Sequence, residues 1–408
     1  LKRVSDHLSD VLDAVAPLEP IDVALLDAHG CVAAEDVVAP WALPPYDQAT
    51  VDGYAVRAID VADASPDAPA LLAVTADVDA GRPSTVALAE GLAARVVAGS
   101  PLPAGADTVV RRDDTDGGYA SVAVHAPAAV GSGVRQRADD VDAGDIVVRV
   151  GTFLGAAQVG LLAAVGKDLV RVRPRPRVVV LAVGSELVEP GLPVTAASVT
   201  DSTSLLLTAG AREAGAVVYR VAPVPDDADV LRRTLEDQLV RADLVVLSGG
   251  LTGGAEVVRQ VLPTLGDVTF ESVAVHPASV QGFGRLGDDA VPVFALPGTP
   301  VSAFLAFEVF VRPAVRRMLG STRLHRPTVR ARLTAPLESP AGVREFARAR
   351  VRGGTGEEEP SVEPLTLRDV PHITDLARAN ALVVVPEATT RLDAGDPVEC
   401  VLLERRRG

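Results

Sequence analysis

The sequence predicts a multidomain α/β plus β protein, in which a central, mostly parallel α/β sheet domain is flanked by two small β-domains and an N-terminal helix. Three observations predict it. Between 177 and 319, apolar runs such as VVVLAVG, DLVVLSGG and VPVFALPG alternate with helical patterns. That is how a parallel sheet covered on both faces reads. Residues 48–135 hold short Val- and Ala-rich runs separated by turns, at 70–75, 93–98, 108–111 and 120–124, with no helical spacing. Residues 324–408 return to the alternation of strands, as at 329–333 and 381–385.

Taken in chain order, 1–20 is one amphipathic helix, with Val4, Leu8, Val11, Leu12 and Val15 on one side and Pro17 and Pro20 ending it. Short strands and the loop APWALPPYD follow in 21–47. Residues 136–174 return to mixed character, with a helix near 155–165 stopped by Gly166. RVRPRPR, 171–177, reads as an extended linker, because alternating arginine and proline cannot form a helix. In the α/β region 202–214, DDADVLRRTLEDQLVRA, 255–265 and 300–319 are helical, while AVVYRV and VTFESVAV are strands. The expected division is 1–47 with 136–174, an inserted β-domain 48–135, the α/β domain 175–323 and a C-terminal β-domain 324–408.

Composition excludes several classes. With 39 basic against 54 acidic residues the net charge is −15, and aromatics are 3%. Neither suits a general nucleic-acid binder. No apolar run approaches the roughly 20 residues that cross a bilayer, and the first residues lack the apolar core of a signal peptide. Cys31 and Cys400 stand alone and far apart. A cytoplasmic, reduced location follows as the expectation. On an acidic chain, an anionic small-molecule substrate needs a local site of backbone amides, a few arginines or a metal ion.

Open parallel sheets bind ligands beyond the carboxyl ends of their strands, and four such ends carry suitable residues. AVGSELVEPG offers Gly184 for a tight turn, then Ser185 and the carboxylate of Glu186. VTDSTSLLL offers Asp201 or Ser202 as a helix cap. LSGGLTGGAEVV places Ser248, Gly249, Gly250, Thr252, Gly253 and Gly254 between strand and helix, without the Lys-Ser/Thr pair of a P-loop. LPGTPVSA places Pro297 and Gly298 in a turn. Thr299 then stands at the cap, Pro300 at the first helical position and Ser302 among free amides. Each also has a plainer reading as a surface turn or a cap. No nucleophile or HExxH motif appears, so the chemistry reads as the positioning of an anion, with Mg²⁺ on carboxylates as an option.

These segments together resemble the molybdopterin molybdenumtransferases, the MoeA-type proteins and the E domain of gephyrin. LPPYDQATVDGYAVRA, VVAGSPLPAGADTVVRRDD, VRQRADDVDAGD, AVGSELVEPG, VTDSTS, LSGGLTGG, LPGTPVSA and LARANALVVVPE follow the family order across nearly the whole chain. The resemblance implies a molybdopterin-binding α/β domain and a homodimer whose cleft is completed by a β-domain of the partner. It also implies insertion of molybdate into adenylylated molybdopterin with release of AMP and use of Mg²⁺. Other cofactor-biosynthesis proteins are implied as partners. Carried over by position, it implies Asp52, Asp140, Glu186 and Arg348 as catalytic residues. Glu186, Asp226 and Asp227 become metal ligands, and the strand-end residues above the binding set. The sequence departs from the family at Val51, Ala98, Val257 (an acid in the family), His276, Ala278 and Ser279 (cationic, glycine and cationic) and Thr299 (asparagine). Two other readings stay open: a degenerate paralogue that binds molybdopterin or a partner protein, and a hydrolase of another nucleotide-linked anion.

Overall fold

Six strands make the central sheet of the computed structural model, which describes residues 1–403 apart from 83, 253–255, 354–358 and 366–370. Val217–Arg220, Arg177–Ala182, Leu244–Ser248 and Val291–Leu296 lie in parallel, in that order. Val280–Leu286 and Gly266–Ser272 extend the sheet in antiparallel fashion. Alternation along the strands sorts their side chains into two cores. Val178, Val180, Leu244, Val246, Phe294 and Leu296 pack with helices Thr203–Ala214 and Pro300–Ala306. Val179, Leu181, Val245, Leu247, Val293 and Ala295 pack with helices Ala228–Leu239 and Val257–Leu265. Both faces are thus buried, which is why these strands are apolar throughout.

The N-terminal helix is Val4–Ala14. Its Val4 and Val11 enter the first core beside Phe307 and Phe310, and His7 is buried edge-on to the Phe310 ring at 4.8 Å. The inserted region forms a five-stranded sheet in the order Thr108–Arg111, Gly53–Val56, Leu92–Val96, Ala70–Val78, Ser121–Val124. It is packed by two clusters of its own, around Tyr54 and Val122 and around Ala49 and Val109. At the C-terminal end, Arg344–Arg352, Ser361–Pro364, Thr328–Leu333, Pro397–Leu402 and Ala381–Val385 pair in a closed ring, a small barrel. Inside it lie Ala347, Ala349 and Val351, while Phe346 and Leu382 belong to the first central core. Val275–His276 also pairs in parallel with Arg344 and Glu345, which stitches the barrel to the α/β layer.

Three features differ from the sequence expectation. RVRPRPR is not a free linker. Leu169–Arg173 is a strand between Ile21–Ala24 and Val32–Ala33, and Arg177 begins the central strand. The arginines there are spent on chain joins. Arg173 donates to the Leu18 carbonyl at 2.6 Å, and Arg175 to those of Gly215 and Ala216 at 3.0 and 2.8 Å. The last two carbonyls lie at a helix C-terminus, which favours a cation. The antiparallel strand Val280–Leu286 escaped the periodicity because glycines interrupt it. A Cβ at Gly284 would lie 2.0 Å from the Asp267 carbonyl oxygen. The helix expected over 300–319 is divided by a π-helical turn at Phe307–Val311 just before Pro313, a residue that cannot donate to an ordinary helical ladder.

Candidate functional site

The carboxyl ends of three parallel strands meet in register, Ala182 beside Ser248 and Ser248 beside Leu296. By alternation, Ser248 points to the same face as Leu244 and Val246, the face covered by helices Thr203–Ala214 and Pro300–Ala306. Ser248 is 1% exposed and its hydroxyl has no hydrogen-bond partner. A buried hydroxyl left unpaired costs roughly 1–3 kcal/mol, so a donor to an anion at this edge is available in Ser248.

Both helices begin at this edge. Thr299 is extended, at φ −76° and ψ 136°, and makes no side-chain cap. Pro300 takes the first helical position, and Ala303 is the first residue to bond back, to the Thr299 carbonyl at 2.9 Å. The amides of Val301 and Ser302 therefore have no helical acceptor, and they stand at the positive end of the helix. Helix Thr203–Ala214 lies alongside. Thr203 Oγ1 donates to the Gly298 carbonyl at 3.2 Å, and a Cβ at Gly210 would sit 3.0 Å from the Phe307 ring. Asp201 is the cap of that helix. Its buried carboxylate accepts from the Ser204 amide at 2.9 Å and meets the Ser204 hydroxyl, whereas Ser202 makes no cap bond.

The glycine turn fits closely against its neighbours. Gly249 and Gly250 have φ of +89° and +63°, a region where an L side chain is strained. A Cβ at Gly249 would also be 2.2 Å from the Val183 carbonyl oxygen, and one at Gly298 would be 3.2 Å from Gly249 Cα. The two turns touch, which is what a single anion bridging them requires. The Gly249 amide is already bonded to Leu296 at 3.2 Å. Pro297 is half-buried and Thr252 exposed, while Gly253 and Gly254 lie outside the described residues.

At the first strand tip, the Gly184 amide donates to the Val224 carbonyl at 2.9 Å. Ser185 and Asp226 bond reciprocally, amide to carboxylate and amide to hydroxyl, both at 2.9 Å. Asp227 caps helix Ala228–Leu239, accepting from the amides of Asp229 and Val230 at 3.0 and 2.9 Å. Glu186 is exposed, and its carboxylate turns back over Gly184, where a Cβ would lie 2.7 Å from Oε2. The expected trio of metal-binding acids is thus not assembled. Among the described residues no three His, Cys, Asp or Glu side chains converge as a metal site.

The profile of the probable molybdopterin binding domain matches residues 179–317, which hold every loop just described. The MoeA N-terminal region (domain I and II) matches 2–166, and the MoeA C-terminal region (domain IV) matches 330–403. The chain is 43% identical to molybdopterin molybdenumtransferase 1 of Mycobacterium tuberculosis over 96% of each chain. It belongs to the molybdopterin molybdenumtransferase family, MoeA. It is also 39% identical to molybdopterin molybdenumtransferase 2 of that organism, over 98% of this chain and 99% of the other. Its fold matches that of a molybdopterin biosynthesis MoeA protein from Pyrococcus horikosii at a TM-score of 0.80 and 31% identity, covering 99% of this chain and 100% of that one.

In this member of the molybdenumtransferase family the remaining predicted residues lie apart from the strand tips. Asp52 accepts from the Ala98 amide at 2.8 Å and lines a hollow with Asp77, Arg95 and Arg112 on the inserted sheet. Asp140 is exposed and paired with Arg135 at 2.8 Å. Among the described residues, the hydrogen bonds and ion pairs of 48–135 all end within 47–140. Asp52 therefore has no polar link to the strand-tip loops of its own chain. Arg348 projects from the outer face of its barrel strand, beside Phe346 and toward the α/β layer. It is 1% exposed, and its Nε lacks a partner. Burial pushes its guanidinium below the ordinary arginine range, opposed in part by Asp375 and Glu345. With carboxylates nearby but no hydrogen bond at Nε, Arg348 keeps a donor for an anion.

At the positions that depart from the MoeA pattern, Val257 is buried in the second core, and its exposed neighbour Glu256 starts the helix at φ +41°. His276 pairs in register with Glu345, and Ala278 sits at φ +97°, where the family carries glycine. Ser279 gives its carbonyl to the Val273 amide at 2.7 Å. The sequence reading missed Arg220, which ends the observed strand Val217–Arg220 and links residues distant in sequence. Only its position at a strand's carboxyl end hinted at it.

Proposed function

We propose that the chain inserts molybdate into adenylylated molybdopterin, releasing AMP, and that the strand-tip cleft is where it does so. The observation that carries this is the buried, unpartnered Ser248 hydroxyl beside two helix N-termini. The second of them, at Pro300, presents the free amides of Val301 and Ser302 where the two turns touch. A nucleotide-linked pterin phosphate is a polyanion that such amides and dipoles hold without lysines. The Val301 and Ser302 amides grip a phosphate oxygen, and the Ser248 hydroxyl donates to another. Arg348, charged and lacking a partner at Nε, holds the molybdate oxyanion from the barrel side.

Mg²⁺ needs one or two protein carboxylates when substrate phosphates complete its shell. Glu186, which makes no side-chain hydrogen bond among the described residues, and the second oxygen of Asp226 fit that need. Asp227 does not, because its carboxylate caps a helix. When bound, the ion neutralises charge that builds on the leaving phosphate.

The working form is a homodimer, in which Asp52 on the inserted sheet of one chain completes the cleft of the other. The separate cores of that sheet support this reading. Other cofactor-biosynthesis proteins deliver the substrate and take the product. The location is the cytoplasm, where the buried thiols Cys31 and Cys400 stay reduced. Burial pushes the Cys400 thiol up to about 11. No helix among the described residues is long and apolar enough to cross a membrane.

The test is AMP release from adenylylated molybdopterin with Mg²⁺, with and without molybdate. Molybdate-dependent AMP is expected. No AMP would overturn the enzyme assignment, and AMP formed equally without molybdate would indicate a hydrolase instead.

A further inference from the structure

Arg220 ends the edge strand of the central sheet, and its guanidinium reaches two other segments. Nη2 donates to both oxygens of Glu189 at 2.7 and 2.6 Å, while Nη1 meets the Ser204 hydroxyl at 3.1 Å and Asp201 Oδ2 at 3.4 Å. Glu189 belongs to an excursion, 184–200, that leaves the first strand tip, carries Glu186 and returns to helix Thr203–Ala214. The excursion has little apolar anchorage: Leu192 and Val194 at its tip are 57% and 58% exposed. Its own main-chain pairing, Leu187–Val188 with Val199–Thr200, holds its two arms together. Side chains fix it to the sheet at two places, the Ser185–Asp226 pair at its start, next to the Gly184–Val224 main-chain bond, and the Arg220 fork on its far side.

We propose that Arg220 is a positioning residue: by gripping Glu189 and Asp201 at once, it fixes the 184–200 excursion and with it the Glu186 carboxylate. This rests on the function proposed above for Glu186. The role needs a planar group with several fixed donors, and an ammonium point charge cannot span the two acids in the same way.

A double-mutant cycle on AMP release tests it, with Arg220→Lys, Glu186→Gln and the double variant. Arg220→Lys is expected to lower kcat about tenfold while leaving KM for adenylylated molybdopterin within about twofold, and to add almost nothing to Glu186→Gln, because the two act as one unit. Glu189→Gln is expected to reproduce part of the loss with an unchanged Tm. A merely structural arginine would instead give losses that multiply and a lowered Tm in every background. Wild-type kcat in Arg220→Lys, or multiplying losses, would overturn the proposal. If the wild-type chain releases no AMP, the function falls first, and hydrogen exchange on the full chain reads the clamp by itself. The amides of Val199 and Asp201, bonded to Glu186 and Val188 at 2.9 Å, are expected to exchange faster in Arg220→Lys. Unchanged protection there would overturn the clamp.

Discussion

Ser248 separates stability from function at a single atom. Its hydroxyl is buried and bonded to nothing, so deleting it removes a desolvated group rather than a contact. Ser248→Ala is expected to leave unfolding free energy unchanged within about 1 kcal/mol, or to raise it, while slowing AMP release about tenfold. Denaturant titration beside the AMP assay checks both halves, and parallel losses would contradict the assignment. Ala278 is the converse case, where the cost lies in the backbone. An L residue at φ +97° is strained by roughly 1–2 kcal/mol, and glycine is not. Ala278→Gly should therefore stabilise the protein by about 1 kcal/mol, less the extra chain entropy glycine brings. A loss of stability would show that the backbone at Ala278 tolerates alanine without strain. The strand-tip residues were legible in the sequence because turns and caps are local chemistry. The Arg220–Glu189 fork was not, since no spacing rule relates a side chain at a strand end to one in a distant loop.

Among the elements, helix Ala228–Leu239 tests whether Asp227 is a cap or a metal ligand. Two main-chain amides bond its carboxylate. Asp227→Ala should cost about 1 kcal/mol of stability, and Asp227→Asn should restore it, because asparagine caps as well as aspartate. AMP release should be normal in the asparagine variant, and a loss repaired by excess Mg²⁺ would return Asp227 to the metal. The N-terminal helix carries a pH dependence. His7 is buried against Phe310 and Phe283, and its pKa is lowered from 6.5 by burial first and by Lys2. Glu271 and Asp10 oppose the shift. The folded state thus favours neutral His7, while the unfolded chain takes a proton near 6.5. The stability this gives is present above that value and is lost as the pH falls through the folded one. His325, lowered by burial too, acts in the same direction. Stability should fall between pH 7 and 5, and His7→Phe should flatten the curve; an unchanged slope would place the titration elsewhere. Sequence reading succeeded for elements whose burial is uniform, such as Leu244–Ser248. It failed at Val280–Leu286, where glycines admit neighbouring backbone and erase the alternation.

On the scale of the whole molecule, the chain is built as two bodies of chemistry. One is the α/β layer fused to the barrel through a shared core, carrying Ser248, Glu186 and Arg348. The other is the inserted sheet with Asp52, packed by its own residues. The family order of segments could be read along the sequence, but which body faces which could not, because no spacing within one chain relates the two. Light scattering should give twice the 42.1 kDa chain mass. Asp52→Asn and Ser248→Ala, each slowed when alone, should when mixed exceed the mean of their separate activities, since one of the two clefts in a mixed dimer is then intact. A monomer, or no recovery from dimers shown to have exchanged chains, would place Asp52 outside the partner's cleft. The measurement that bears most directly on the whole account is a crystal structure with adenylylated molybdopterin bound. Phosphate density is expected within hydrogen-bond reach of the Val301 and Ser302 amides and of the Ser248 hydroxyl. Both turns empty, with the nucleotide bound elsewhere, would contradict it.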